Sequence, residues 1–297
     1  MITFCCLLTS NPANGQFKNY SFIGIQVDND VYFDLDQYYS SGNFLHFGKG
    51  IVSDSNPNSL RLIHWTFGQQ IFTPSTSLYK PEIGDYPYNG WLFIERQSII
   101  FNKEISGRGW SFLLGVTGAD LSLARPIHNF FHQVIRGIEK HSWTDPISPF
   151  FHLNGSRFWF RNIPLGNRWK IHAKPMVDLG TYRTGGQIDL GIHYGSIPLN
   201  PYQFLSQKKN GFKLSVYLQG KFRYRWTEYG LTGKLFQFQN DGDWHLVHPH
   251  FTFEYGLSTT LASWRLFAVG IITTKDVKQQ LDGQHFYLQL GLIKAFF

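Results

Sequence analysis

The stretch Gly211 to Trp226, GFKLSVYLQGKFRYRW, decides the fold class. Phe212, Leu214, Val216, Leu218, Gly220, Phe222, Tyr224 and Trp226 share one parity, and Lys213, Ser215, Tyr217, Gln219, Lys221, Arg223 and Arg225 share the other. Strict period-two alternation is the signature of a β-strand. Strands of soluble sheets run about five or six residues, whereas a strand that crosses a bilayer at a tilt needs roughly 9–11. The pattern here outlasts both, and its aromatic end suits the headgroup level of a membrane. One face of this strand is therefore expected to meet lipid and the other a wet, basic lumen.

Outward from this strand the same alternation recurs. Residues 21–28 set Ile23, Ile25 and Val27 against Gly24, Gln26 and Asp28. Further strands are expected over 42–51, 60–71, 91–100, 110–117, 150–161, 168–179, 187–194, 250–258, 264–272 and 284–297. Those at 91–100 and 110–117 are apolar on both parities, which leaves their outward face open. The set makes about twelve strands, an even number as in bacterial single-chain barrels. The final Phe296-Phe297 suits a terminal strand that closes onto the first. One helix is expected over 126–137: Pro126 fits a first turn, and Ile127, Phe130, Phe131 and Val134 recur at helical spacing. The fold class is thus all-β, a transmembrane antiparallel barrel over residues 20–297 with one short helix in a rim loop.

Composition agrees. The 297 residues are 18% aromatic and only 16% charged, a balance that suits interfacial girdles. No run of eighteen apolar residues occurs, which excludes helical membrane spans but not a barrel of alternating strands. The net charge of +7 favours an anionic partner. No nucleic-acid motif accompanies it and the cations are spaced along strands, so a lipid headgroup is expected and a nucleic acid is not. The two cysteines, Cys5 and Cys6, are adjacent and support no disulfide framework. They lie in an apolar run followed by small and polar residues, so residues 1–16 read either as the tail of a secretory signal peptide or as a disordered N-terminus.

Chemistry-bearing residues gather in two places. Asp28, Asn29 and Asp30 end the first strand, with Asp34 and Asp36 close behind, a density of hard oxygen atoms that suits calcium. A plain turn uses the same residues, and the sequence leaves both readings open. On the helix His128 and His132 are equal rivals for a catalytic role. Trp143 and Asp145 follow as an interfacial anchor and a cap. Lys80 and Glu82 flank Pro81 in a solvated loop. There is no nucleophile elbow, zinc-type cysteine pair, P-loop or dinucleotide fingerprint.

Several short motifs occur in a telling order: Asn29-Asp30; Tyr38-Tyr39-Ser40-Ser41-Gly42; Gly68-Gln69-Gln70-Ile71-Phe72-Thr73-Pro74; Tyr86-Pro87-Tyr88-Asn89-Gly90-Trp91-Leu92; Gly115-Val116-Thr117-Gly118; Asn129 and His132; and Trp143-Thr144-Asp145. In these motifs, which span about half the chain, the protein resembles the outer-membrane lipid A 3′-O-deacylase family. The resemblance implies a twelve-stranded barrel of the bacterial outer membrane, and a monomer is expected. Its rim site would hydrolyse an ester of lipid A with Ca2+ and a histidine. The family's Asn-Asp pair lands on Asn29 and Asp30, which implies a calcium and active site there. Its hydroxyl residue lands on Ser40 and its helix histidine on His132, which raises His132 above His128. His132 would then be the general base, the ion would stabilise the oxyanion, and Ser40 would donate a hydrogen bond. Substrate contacts fall on Lys80 and Glu139. A basic pair of the family is Leu78-Tyr79 here, the acidic residue after the histidine comes one position later at Glu139, and Thr117-Gly118-Ala119 lacks the usual proline. A calcium-dependent phospholipase and a non-catalytic pore or scaffold are the competing expectations.

Overall fold

In the computed structural model the described residues are 17–33, 35–76, 84–103, 105–137, 139, 142–204, 213–236 and 244–297. The N-terminal stretch 1–16, Asp34, the segment holding Leu78, Tyr79, Lys80, Pro81 and Glu82, and Gly211 and Phe212 lie outside them.

Twelve strands form one closed antiparallel barrel: β1 (Tyr20–Asn29), β2 (Asp36–Ser53), β3 (Asn56–Thr76), β4 (Asn89–Asn102), β5 (Ser106–Thr117), β6 (Phe151–Leu165), β7 (Trp169–Gly180), β8 (Arg183–Gly195), β9 (Lys213–Glu228), β10 (Pro249–Leu261), β11 (Trp264–Thr274) and β12 (Gln284–Phe296). Each strand pairs with its sequence neighbours, and β1 pairs with β12 from Ser21 opposite Phe296 to Asn29 opposite Leu288. Closure leaves no free edge, the condition for placing strands in hydrocarbon. The strands span 10 to 21 residues, longer than several of the expected segments because β2 and β3 continue past the wall into the rim.

Along β9 the parity resolves as the alternation requires. Leu214, Val216, Leu218, Phe222, Tyr224 and Trp226 are exposed on the outer wall, while Ser215, Gln219 and Arg225 are buried inside. On the outer wall Arg96 lies over both the Trp65 and Trp110 rings, and Arg157 lies over Trp159. Such amphipathic pairs suit the interface between headgroups and acyl chains.

The lumen is not simply basic. Its cations face carboxylates: Lys174 to Asp189 at 3.7 Å, Arg183 to Asp178 at 3.6 Å, Arg225 to Glu228 at 3.3 Å, and Lys221 in a short bridge to Glu254. Burying like charges side by side would be costly, so both signs are interleaved around a cavity of about 430 Å³. These four inward cations are thus engaged with carboxylates rather than presented to a headgroup.

At the end carrying the short turns the lumen becomes apolar. Tyr20, Phe22, Leu60, Leu62, Ile99, Phe101, Val269 and Ile293 converge there with Tyr202 and Phe204 of the β8–β9 connection. This explains why β4 had no polar parity in the sequence: Ile99 and Phe101 face this inner cluster while Ile94 faces outward. The connection is fastened by Arg265, only 2% exposed, whose Nη1 lies 3.2, 2.6 and 3.0 Å from the carbonyl oxygens of Asn200, Pro201 and Gln203. Its guanidinium also covers the Phe204 ring, and Tyr20 donates its hydroxyl to the Tyr202 carbonyl at 2.7 Å. The inner connection thus fills the lumen at this end.

Arg265→Ala removes the charged donor and strands buried carbonyls, each costing about 1–3 kcal/mol. We expect a loss of about 2–4 kcal/mol in denaturant unfolding of the micelle-bound barrel, and single-channel conductance in planar bilayers above that of the wild type.

Candidate active site

The connections β1–β2, β3–β4, β5–β6, β7–β8, β9–β10 and β11–β12 share the opposite, long-loop mouth, because consecutive strands alternate in direction. The expected helix lies there in the β5–β6 connection. It comprises α1 (Ala124–Phe130) continued by a single π-helical segment (Phe131–Arg136), with Gly137 in the left-handed conformation at its end. Its most exposed apolar residues, Phe130, Val134 and Ile135, face away from the protein. Ile127, Phe130, Val134 and Ile135 are exposed, while Ala124, His128 and His132 are buried against the barrel. The helical spacing was right, and the buried face is the one that carries the two histidines, since the surroundings of a membrane rim are apolar. Segments with π geometry are rare and cluster at functional sites.

Close approach of α1 depends on Gly90. A Cβ there would collide with the Ser122 hydroxyl and the Ala124 methyl group, so only glycine lets the helix sit against β4. The seat is completed by Trp143, which is 2% exposed, stacks on Tyr88 with centroids 4.9 Å apart and presents its edge to His128. Trp143 is therefore a buried support for the helix rather than an interfacial anchor, and Asp145 is exposed at a positive φ of 46°.

A cavity of about 170 Å³ lies between this helix and the start of β2. Asn29, Asp30, Asp36, Ser40, His128 and His132 all line it. Asp36 is the hub. Its Oδ2 lies 2.7 Å from His132 Nε2, its Oδ1 lies 3.3 Å from His128 Nε2, and its Oδ1 accepts the Ser40 hydroxyl at 2.9 Å. Asp30 is 1% exposed, and its Oδ2 accepts the Gln37 backbone N–H at 2.9 Å. Burial, and secondarily the neighbouring Asp36 charge, push the Asp30 carboxyl well above its ordinary range. Asn29 makes the turn that its residue type suggests, its side-chain oxygen accepting the Val31 N–H at 2.7 Å and opening a short 3₁₀ turn (Val31–Phe33).

Asn29, Asp30, Ser40 and His132 are thus brought together. Glu139, expected near the substrate, is exposed beyond the helix and does not line this cavity, and Lys80 lies outside the described residues. Arg136 lines the cavity instead. Asp36 had been counted only among the oxygen donors, and His128 had been set below His132. The signal for both was the His-x3-His spacing on one helical face, which aims two imidazoles at one point.

The donor set suits calcium. It offers the carboxylate of Asp30, the amides of Asn29 and Asn43 and the Ser40 hydroxyl, all hard oxygen ligands. An amide oxygen has two lone pairs, so the turn bond of Asn29 leaves it one to give.

The family model described as outer membrane protein LpxR matches residues 1–296. This chain belongs to the LpxR family. It is accordingly an outer-membrane β-barrel. LpxR from Salmonella typhimurium superimposes with a TM-score of 0.75 at 16% identity, covering 93% of this chain and 100% of that one. The β-domain of the Bordetella autotransporter BrkA gives 0.50 at 10% identity, covering 93% and 98%, a likeness of barrel architecture alone. No match was found among curated proteins.

Gly90→Ala should push α1 off the wall at a cost of about 1–3 kcal/mol. The expected result is faster tryptic cleavage after Arg136 than in the wild type, with the barrel retaining its heat-modifiable mobility on gels.

Proposed function

We propose that this LpxR-family protein hydrolyses the ester that links the 3′ acyl chains to lipid A, with Ca2+ as cofactor. The observation that carries the reading is the Asp36–His132 pair, set beside buried Asp30 in one cavity at the long-loop mouth. That is a general base with an orienting carboxylate, next to an oxygen-rich cation site.

Asp30 and Asn29 would hold the ion, which when bound supplies Lewis acidity at the ester carbonyl. Asp36 Oδ2, 2.7 Å from His132 Nε2, orients the imidazole and stabilises its charged form. The imidazole takes a proton from water as the oxygen attacks the acyl carbon. The C–O bond to the sugar then breaks, and His132 returns the proton to the departing sugar oxygen. Ser40 holds Asp36 through its 2.9 Å hydrogen bond and keeps the dyad in register. Ile71, Ile127 and Phe131 line the cavity and restrict water to the reacting molecule. On the outer face of the helix, exposed Phe130, Val134 and Ile135 suit the acyl chains of the outer leaflet. Arg136 offers a guanidinium to a phosphate of the headgroup.

The test uses purified protein in mixed micelles with lipid A, read by mass spectrometry. Release of the 3′-linked chains should require calcium and stop with chelator. His132→Ala and Asp30→Ala should each lower the rate by about 10²–10⁴-fold while the barrel stays folded. Turnover surviving both substitutions would remove the mechanism, and release of fatty acids from phospholipid but not from lipid A would favour a phospholipase.

A further inference from the structure

His128, His132 and Asp36 each offer one ligand atom, and these atoms all lie within 4.8 Å of one another, the only such group of His, Cys, Asp or Glu among the described residues. This is a different donor set from the one offered to calcium. Calcium takes oxygen ligands, whereas two imidazoles and one carboxylate are what zinc and its neighbours in the first transition row take, with a fourth position left open. Tetrahedral bonds of about 2.0–2.1 Å place adjacent ligand atoms roughly 3.3–3.4 Å apart, and His128 Nε2 lies 3.3 Å from Asp36 Oδ1. His132 Nε2, at 2.7 Å from Asp36 Oδ2, needs to move by roughly 0.6–0.7 Å to share an ion at that spacing. The supporting contacts are those of a built site. Ser40 orients the carboxylate by its hydrogen bond, the Trp143 edge holds the His128 ring, and Ile71, Ile127 and Phe131 keep the cavity apolar around the nitrogens.

We propose that Asp36, His128 and His132 form a second metal site, selective for a zinc-class ion over calcium. An ion there ties the His132 Nε2 and Asp36 together and withdraws the pair from proton transfer. The consequence, which rests on the function proposed above, is that zinc switches hydrolysis off while calcium supports it.

Cobalt(II) added to untagged, chelator-stripped wild-type protein in detergent reports the site directly, because four- or five-coordinate cobalt absorbs visibly far more strongly than the octahedral aqua ion. The expected result is an intense ligand-field band saturating at one equivalent per chain, unchanged by excess calcium and abolished by zinc. His128→Ala and Asp36→Asn should each weaken cobalt binding by more than about 100-fold, beyond the 10–100-fold that outer-shell changes cost. His245→Ala, on a different connection, should leave it unchanged. Only a weak octahedral spectrum from wild-type protein, or a full-affinity band that survives in folded His128→Ala, would overturn the site. The cobalt readout does not need turnover, so it stands or falls apart from the deacylase reading. In a calcium-supported assay zinc should inhibit with the affinity measured by cobalt displacement, and undiminished turnover with the site saturated would overturn the switch.

Discussion

A backbone amide in hydrocarbon has no water to turn to, and each unpaired group costs several kcal/mol. The β1–β12 ladder, Ser21–Phe296 through Asn29–Leu288, meets that constraint by turning an open sheet into a ring. Once the ring is closed there are two surfaces, and side-chain parity has to match them. The exposed Leu, Ile, Phe and Trp of the outer wall are what lipid requires. Most of the polar side chains on the strands are thereby committed to a narrow interior.

That commitment explains the lumen. Cations and carboxylates confined together in a poorly solvated space are tolerable only as neighbours of opposite sign, hence Lys174 with Asp189 and Arg183 with Asp178. Where the pairs run out, at the short-turn end, the interior is filled by apolar side chains and by the β8–β9 connection under Arg265. A lumen filled in this way favours a reading of the protein in which chemistry belongs to the rim, where the strands outrun the wall and loops carry polar groups into contact.

At the rim the ring again sets the geometry. β2 begins beside β3, and β3 beside β4, whose Gly90 admits the helix from the β5–β6 connection. Asp36 and His128 are thus brought to 3.3 Å across 92 residues of chain. The same few side chains offer oxygen donors on the Asp30 side and nitrogen donors on the helix side.

Period-two alternation is local physics, so the twelve strands, their direction and the outer face of most of them were legible in the sequence by itself. So were the helix, from the spacing of Ile127, Phe130 and Val134, and the oxygen-rich turn at Asn29 and Asp30. The inward face of that helix was not, because spacing specifies a stripe and only the surroundings decide whether protein or lipid covers it. Nor were the paired charges of the lumen, the buried place of Trp143, the distance of Glu139 from the cavity, or Asp36 as partner of both histidines. Each of these depends on which strands and connections the closed ring makes neighbours, a relation between residues far apart in the chain that only the tertiary structure decided.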